Sequence, residues 1–62
     1  MRSRQGRHAE AEELEFEVLE ASRRVRAAGH PETLRAAGNL AITHDNLGKH
    51  AKAAAVRALY SL

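Results

Sequence analysis

The sequence predicts an all-α protein built from three antiparallel helices. Apolar residues recur at spacings of three and four, helix breakers divide the chain into three segments, and no segment alternates with the two-residue period of a strand. The 62 residues contain no cysteine, which excludes disulfides and thiolate metal ligands. A chain of this size buries only roughly 60% of its unfolded surface on folding. We therefore expect its stability to depend on regular helix packing or on a partner.

The first helix is expected over about residues 7–28, after a flexible basic lead-in at residues 1–6. Residues 7–62 are expected to form a single helical domain. Helical spacing places one set of apolar residues on a common face: Ala11, Leu14, Val18, Ala21, Val25 and Ala28. We expect this face to contact the core, and any uncovered part of it to dock a partner. The six glutamates between residues 10 and 20 are expected to form a solvated face.

The second and third helices are expected over about residues 32–47 and 49–61. Pro31 suits the first helical turn because its φ is already fixed near the helical value. Gly48 is suited to a left-handed cap at the end of the second helix. Gly38 lies inside that helix, where glycine costs about 1 kcal/mol relative to alanine. We expect a close helix crossing at Gly38.

A short segment recurs at the predicted starts of two helices. Gly6-Arg7-His8-Ala9-Glu10-Ala11 is repeated, with two substitutions, as Gly48-Lys49-His50-Ala51-Lys52-Ala53. The two copies are about forty-two residues apart, and periods of roughly 20–50 residues are typical of helical solenoids. In such proteins each helical pair buries its apolar face against the next pair.

These segments resemble the tetratricopeptide repeat, in the 42-residue variant of kinesin light chains. The resemblance is carried by Asn39-Leu40-Ala41, by Asn46-Leu47-Gly48-Lys49-His50 with Ala53, and by His30-Pro31-Glu32-Thr33-Leu34. It covers about residues 6–60 and implies a helical hairpin preceded by one helix, or about one and a half repeats. Arg57 departs from the pattern, since the family usually has an aromatic residue there.

The resemblance implies a non-enzymatic protein-protein interaction module whose open repeat edge favours self-association, with a dimer as the favoured state. The residues expected to pack repeats together are Ala11, Leu14, Val18, Leu40, Ala41, Leu47, Gly48 and Ala53. The candidates for binding a protein or peptide partner, on the exposed side of the second helix, are Arg35, Asn39, Thr43 and Asn46.

Other functions have weaker support in the sequence. The four histidines show no ligand spacing typical of a metal site, the serines lack a neighbouring base, and no glycine-rich phosphate loop is present, so we expect no metal, no cofactor and no catalysis. A small helical DNA-binding or antitoxin-like regulator is the alternative. It is disfavoured because the glutamates would repel phosphates. No apolar run is long enough to span a membrane, and we expect a cytoplasmic location.

Overall fold

The computed structural model describes residues 4–62, which form three α-helices. Their bounds are α1 Arg4–Val25, α2 Pro31–Asn46 and α3 His50–Leu59. The predicted fold class is therefore confirmed. Helix α1 begins before residue 7 and ends before residue 28, so part of the predicted lead-in is helical. The rest of that lead-in, residues 1–3, lies outside the described residues.

Helix α2 begins at a histidine cap that the sequence did not predict. The N–H of Glu32 donates to His30 Nδ1 over 3.1 Å, and Pro31 occupies the first helical position. This bond satisfies one of the backbone donors that a helix leaves free at its start. His30 therefore fixes the start of α2.

Helix α2 ends at a glycine in a left-handed cap, as the sequence predicted, and the hydrogen bonds there form a Schellman motif. Gly48 has a φ of 78°, in the left-handed region that favours glycine. Its N–H donates to the carbonyl of Asp45 over 2.9 Å, and the Lys49 N–H donates to the carbonyl of His44 over 2.7 Å. This turn directs α3 back along α2.

Helix α2 lies at the centre of the molecule and packs against both α1 and α3. The core cluster contains Leu19 from α1 together with Ala36, Ala37 and Leu40 from α2. Val56 from α3 and Tyr60, just after α3, pack against it. Alanine at the crossings lets the helix axes approach closely. The molecule is a flat slab with extents of 39 × 20 × 12 Å.

Gly38 does not mark a close helix crossing, so that prediction is wrong. A Cβ atom built on Gly38 would meet no other atom within 4 Å. Ala37 and Ala41, which are fully buried, lie on another face of the helix.

Candidate protein-interaction surface

Helix α1 packs on α2 through a face that carries glutamates. The Nδ1 atom of buried His44 lies 2.7 Å from Glu12 Oε2, although without the geometry of a directed hydrogen bond. Lys49, before α3, donates to Glu12 Oε1 over 2.9 Å. The Lys49 hydrogen bond is the main cause that lowers the pKa of Glu12, and partial burial opposes it. Glu12 thereby links α1 to α2 and to the start of α3.

A second polar contact joins the same two helices. The Thr43 hydroxyl donates to Glu15 Oε1 over 2.5 Å, and Thr43 is only 6% exposed. The prediction that Thr43 is a surface residue is therefore wrong, because its side chain faces α1. Glu12, Glu15 and buried Leu19 lie three and four positions apart, on one face of α1. This spacing is the sequence signal that could have placed both glutamates at the contact with α2.

The C-terminal end of α2 is tied to α3 through one carboxylate. Arg57 donates to Asp45 Oδ2 over 2.7 Å, and His50 Nδ1 lies 2.8 Å from Asp45 Oδ1. These two contacts, that of Arg57 above all, lower the pKa of Asp45. Arg57, which departs from the aromatic usual at its position, thus pairs with the preceding helix.

The side of α2 opposite its buried face presents a row of exposed residues. This α2 outer face consists of Arg35, Asn39, Ile42 and Asn46. Three of the four predicted partner-binding residues lie here. Arg35 and Asn39 also line a shallow groove of about 300 Å³ between α2 and α1, together with Val18, Ser22, Glu32 and Ala36. A guanidinium beside an amide can hold a carboxylate or the backbone of an extended peptide.

Next to this groove, α1 exposes the apolar residues that the sequence had assigned to the core. This α1 apolar stripe consists of Leu14, Val18, Ala21 and Val25. Leu14, Val18 and Val25 are 62%, 56% and 79% exposed. The expectation that the stripe contacts the core of the single chain is wrong. Leu14 and Val18 are also predicted to pack repeats together. That stays a prediction, because it requires a second chain.

The other predicted packing residues occupy mixed environments. Leu40, Ala41 and Ala53 are buried, Ala11 and Leu47 are half-buried, and Gly48 is exposed at its turn. The buried residues lie within the α2–α3 hairpin or between α2 and α1. They therefore pack helices of this chain together.

A larger groove of about 430 Å³ lies between α1 and α3. It is lined by Glu12, Glu13, Phe16, His44, Lys52, Ala55 and Val56. Within residues 4–62, no group of three His, Asp or Glu side chains is placed to hold a metal ion. Among the described helices, none has both the length and the apolar character needed to cross a membrane.

The sequence model of the tetratricopeptide repeat matches residues 1–56. The chain belongs to the tetratricopeptide repeat family. In this tetratricopeptide repeat protein, α2 and α3 form a helical pair and α1 precedes them, about one and a half repeats in all. No curated protein and no solved structure gives a significant match to the chain.

Proposed function

We propose that this tetratricopeptide repeat chain is a non-enzymatic interaction module that associates with further copies of itself through the α1 apolar stripe. The family generally consists of protein-protein interaction modules. The observation that carries the proposal is the exposure of Leu14, Val18 and Val25 on one helix face. Apolar side chains gathered on one exposed face are typical of interaction sites. A cytoplasmic location is part of the proposal.

The uncovered α1 apolar stripe provides the physical reason for self-association. Solenoid repeats bury their apolar faces against neighbouring repeats, and about three repeats or dedicated caps give a stable array. Within the described residues, no helix covers the α1 apolar stripe. A second copy would bury the stripe and stabilise both chains by mass action.

Sedimentation equilibrium tests the self-association. We expect the average mass of the native chain to rise with concentration, and Leu14→Glu to remove that rise. Ile42→Glu is the matched control, because Ile42 is 55% exposed and lies outside the stripe. A native chain that stays monomeric, or an Ile42→Glu variant that loses association as Leu14→Glu does, would contradict the proposal.

We further propose that the α2 outer face binds an extended peptide with a carboxylate group. Arg35 supplies a positive charge. The side-chain amides of Asn39 and Asn46, further along α2, can form hydrogen bonds with the backbone of the peptide. The groove beside Arg35 and Asn39 gives a neighbouring side chain room to enter. Charge-assisted hydrogen bonds of this kind are about twice as strong as neutral ones.

Selection from a random peptide display library tests this binding. We expect acidic peptides to be enriched, and an Arg35→Ala/Asn39→Ala variant to bind them more than about tenfold more weakly, a loss of roughly 1.4 kcal/mol. Lys52→Ala, which removes an exposed cation on α3, should bind them normally. Enrichment without acidic character, or equal binding by the double variant, would contradict the assignment.

A further inference from the structure

The α1 apolar stripe has the residue spacing of a helix that pairs with another helix. Its residues Leu14, Val18, Ala21 and Val25 are separated by four, three and four positions, and all are exposed. Alternating spacings of three and four form the seven-residue repeat of a coiled coil, in which helices pack side by side. The stripe runs about 16 Å along the helix axis. It therefore suits a second helix of similar length and the same repeat.

Two exposed charges, Glu17 and Arg24, border the stripe on one side. They are seven residues apart and each directly precedes a valine of the stripe, so they occupy the same position of the repeat. Neither forms an ion pair among the side chains that the structure describes. The neighbouring Arg23, in contrast, pairs with Glu20. Glu17 and Arg24 are thus available to a second helix laid along the stripe.

The charge distribution along α1 selects the direction of that second helix. Residues 10–20 contain six glutamates and no Arg or Lys, whereas residues 21–28 contain three arginines and no Asp or Glu. If two α1 helices lie antiparallel, the acidic half of each faces the basic half of the other. A parallel pair would place like charges side by side, which is unfavourable. Charges that flank an apolar seam set the orientation of paired helices in this way.

The antiparallel arrangement also matches the side chains of the stripe. When the two-fold axis lies midway between Val18 and Ala21, each Val18 meets Ala21 of the second copy and each Leu14 meets Val25 of the second copy. The same register places the two unpaired charges within about 3 Å of each other along the helix axis. Long side chains of opposite charge can bridge this offset. One arrangement therefore satisfies both the apolar and the charged residues.

Helix α3 of a second copy offers no such match. Residues 49–62 contain no Asp or Glu, so no side chain there can pair with Arg24. Arg57 already donates to Asp45, and Lys52 lines the groove between α3 and α1 of its own chain. A second α1, in contrast, carries both charges at the spacing that the first requires.

We infer that two copies of the chain pair antiparallel through their α1 apolar stripes, with Glu17 of each copy beside Arg24 of the other. This inference rests on the self-association proposed above and specifies its surface, its direction and its charged contacts. The contact is isologous, because the same surface is used on both copies. It covers both stripes at once, and the assembly therefore stops at a dimer.

Charge-reversal variants test the inference. Glu17→Arg makes the edge of the stripe wholly basic and Arg24→Glu makes it wholly acidic, so each variant repels its own copy. Both positions are exposed and helical, and both new residues are good helix formers, so the far-UV circular dichroism should stay native. Glu13→Arg is the matched control, since Glu13 is exposed on α1 but lines the groove toward α3.

Masses are measured by sedimentation from about 10 µM to about 1 mM, because a contact below standard interface size is expected to be weak. The salt concentration is about 50 mM, since higher salt screens exposed charges. The native chain and Glu13→Arg should form dimers, and each reversal variant should dimerise about tenfold more weakly. An equimolar mixture of Glu17→Arg and Arg24→Glu should form a heterodimer. The double variant Glu17→Arg/Arg24→Glu should dimerise again, because opposite charges then face each other.

The same measurements separate this inference from the proposal on which it rests. Reversal variants that dimerise like the native chain, a mixture that does not recover, or native species larger than a dimer would overturn the antiparallel pairing while leaving self-association intact. Loss of dimers in Glu13→Arg would also overturn the pairing, since the effect would then not be specific to the stripe. A native chain that is monomeric throughout this range would overturn self-association itself.

Discussion

Replacing glycine by alanine should have opposite effects on stability at Gly48, just after the end of α2, and at Gly38, inside α2. Gly48 has a φ of 78°, and a Cβ atom added there meets nothing within 4 Å. The effect of Gly48→Ala is therefore a backbone effect, without a steric clash. A left-handed L-residue costs roughly 1–2 kcal/mol, and the stiffer unfolded chain returns about 0.4–1 kcal/mol. We expect Gly48→Ala to lower the free energy of unfolding by about 1 kcal/mol.

Gly38→Ala is the matched variant with the opposite sign. Gly38 lies inside α2 without a positive φ, and its added Cβ also meets nothing within 4 Å. Alanine inside a helix is favoured over glycine by about 0.8–1 kcal/mol. The two variants should therefore differ by about 2 kcal/mol, which for a domain of this size corresponds to roughly 8–16 °C in Tm.

The assay is urea and thermal unfolding monitored by far-UV circular dichroism. All variants are measured at one low protein concentration, so that association contributes equally to their stabilities. Ser61→Gly extends the test, because Ser61 has a φ of 57° and ends α3 in a similar turn. It should gain about 0.5 kcal/mol by relieving left-handed strain. A Gly48→Ala variant as stable as Gly38→Ala would refute the assignment of a left-handed cap at Gly48.

Two further predictions concern the core and the polar contacts. Leu40→Ala should lower the free energy of unfolding by about 2–5 kcal/mol, because Leu40 is only 2% exposed in the core. Ile42→Ala, at an exposed position, should change the free energy of unfolding by less than about 1 kcal/mol. Urea titration of both variants measures the difference. The lowered pKa of Glu12 predicts a stability contribution that is present above the ordinary carboxyl pKa of about 4.3 and is lost as the pH falls through the lower folded pKa. Glu12→Gln should flatten the decline in stability on acidification and Glu13→Gln should preserve it; an unchanged acid slope in Glu12→Gln would argue against the contact with Lys49.

Much of the fold follows from local sequence rules. Each helix has apolar spacing of three and four, and Pro31 and Gly48 set the two breaks at positions where backbone chemistry leaves little choice. The exposed positions of Arg35, Asn39 and Asn46 also follow from their helical register relative to buried residues of α2. Thr43 departs from this set because its hydroxyl pairs with Glu15, a contact between residues 28 positions apart in the chain.

The sequence by itself determined the three helices, their order, the glycine cap and the repeat to which they belong. Only the tertiary structure decided which face of α1 is buried. Periodicity shows that Leu14, Val18 and Val25 share a face, but it does not show whether a neighbour covers that face. In this chain α2 offers α1 buried Thr43 and His44, whose polar groups are matched by Glu15 and Glu12. The face of α1 that carries Leu19, Glu12 and Glu15 is therefore turned inward, and the apolar stripe is left exposed.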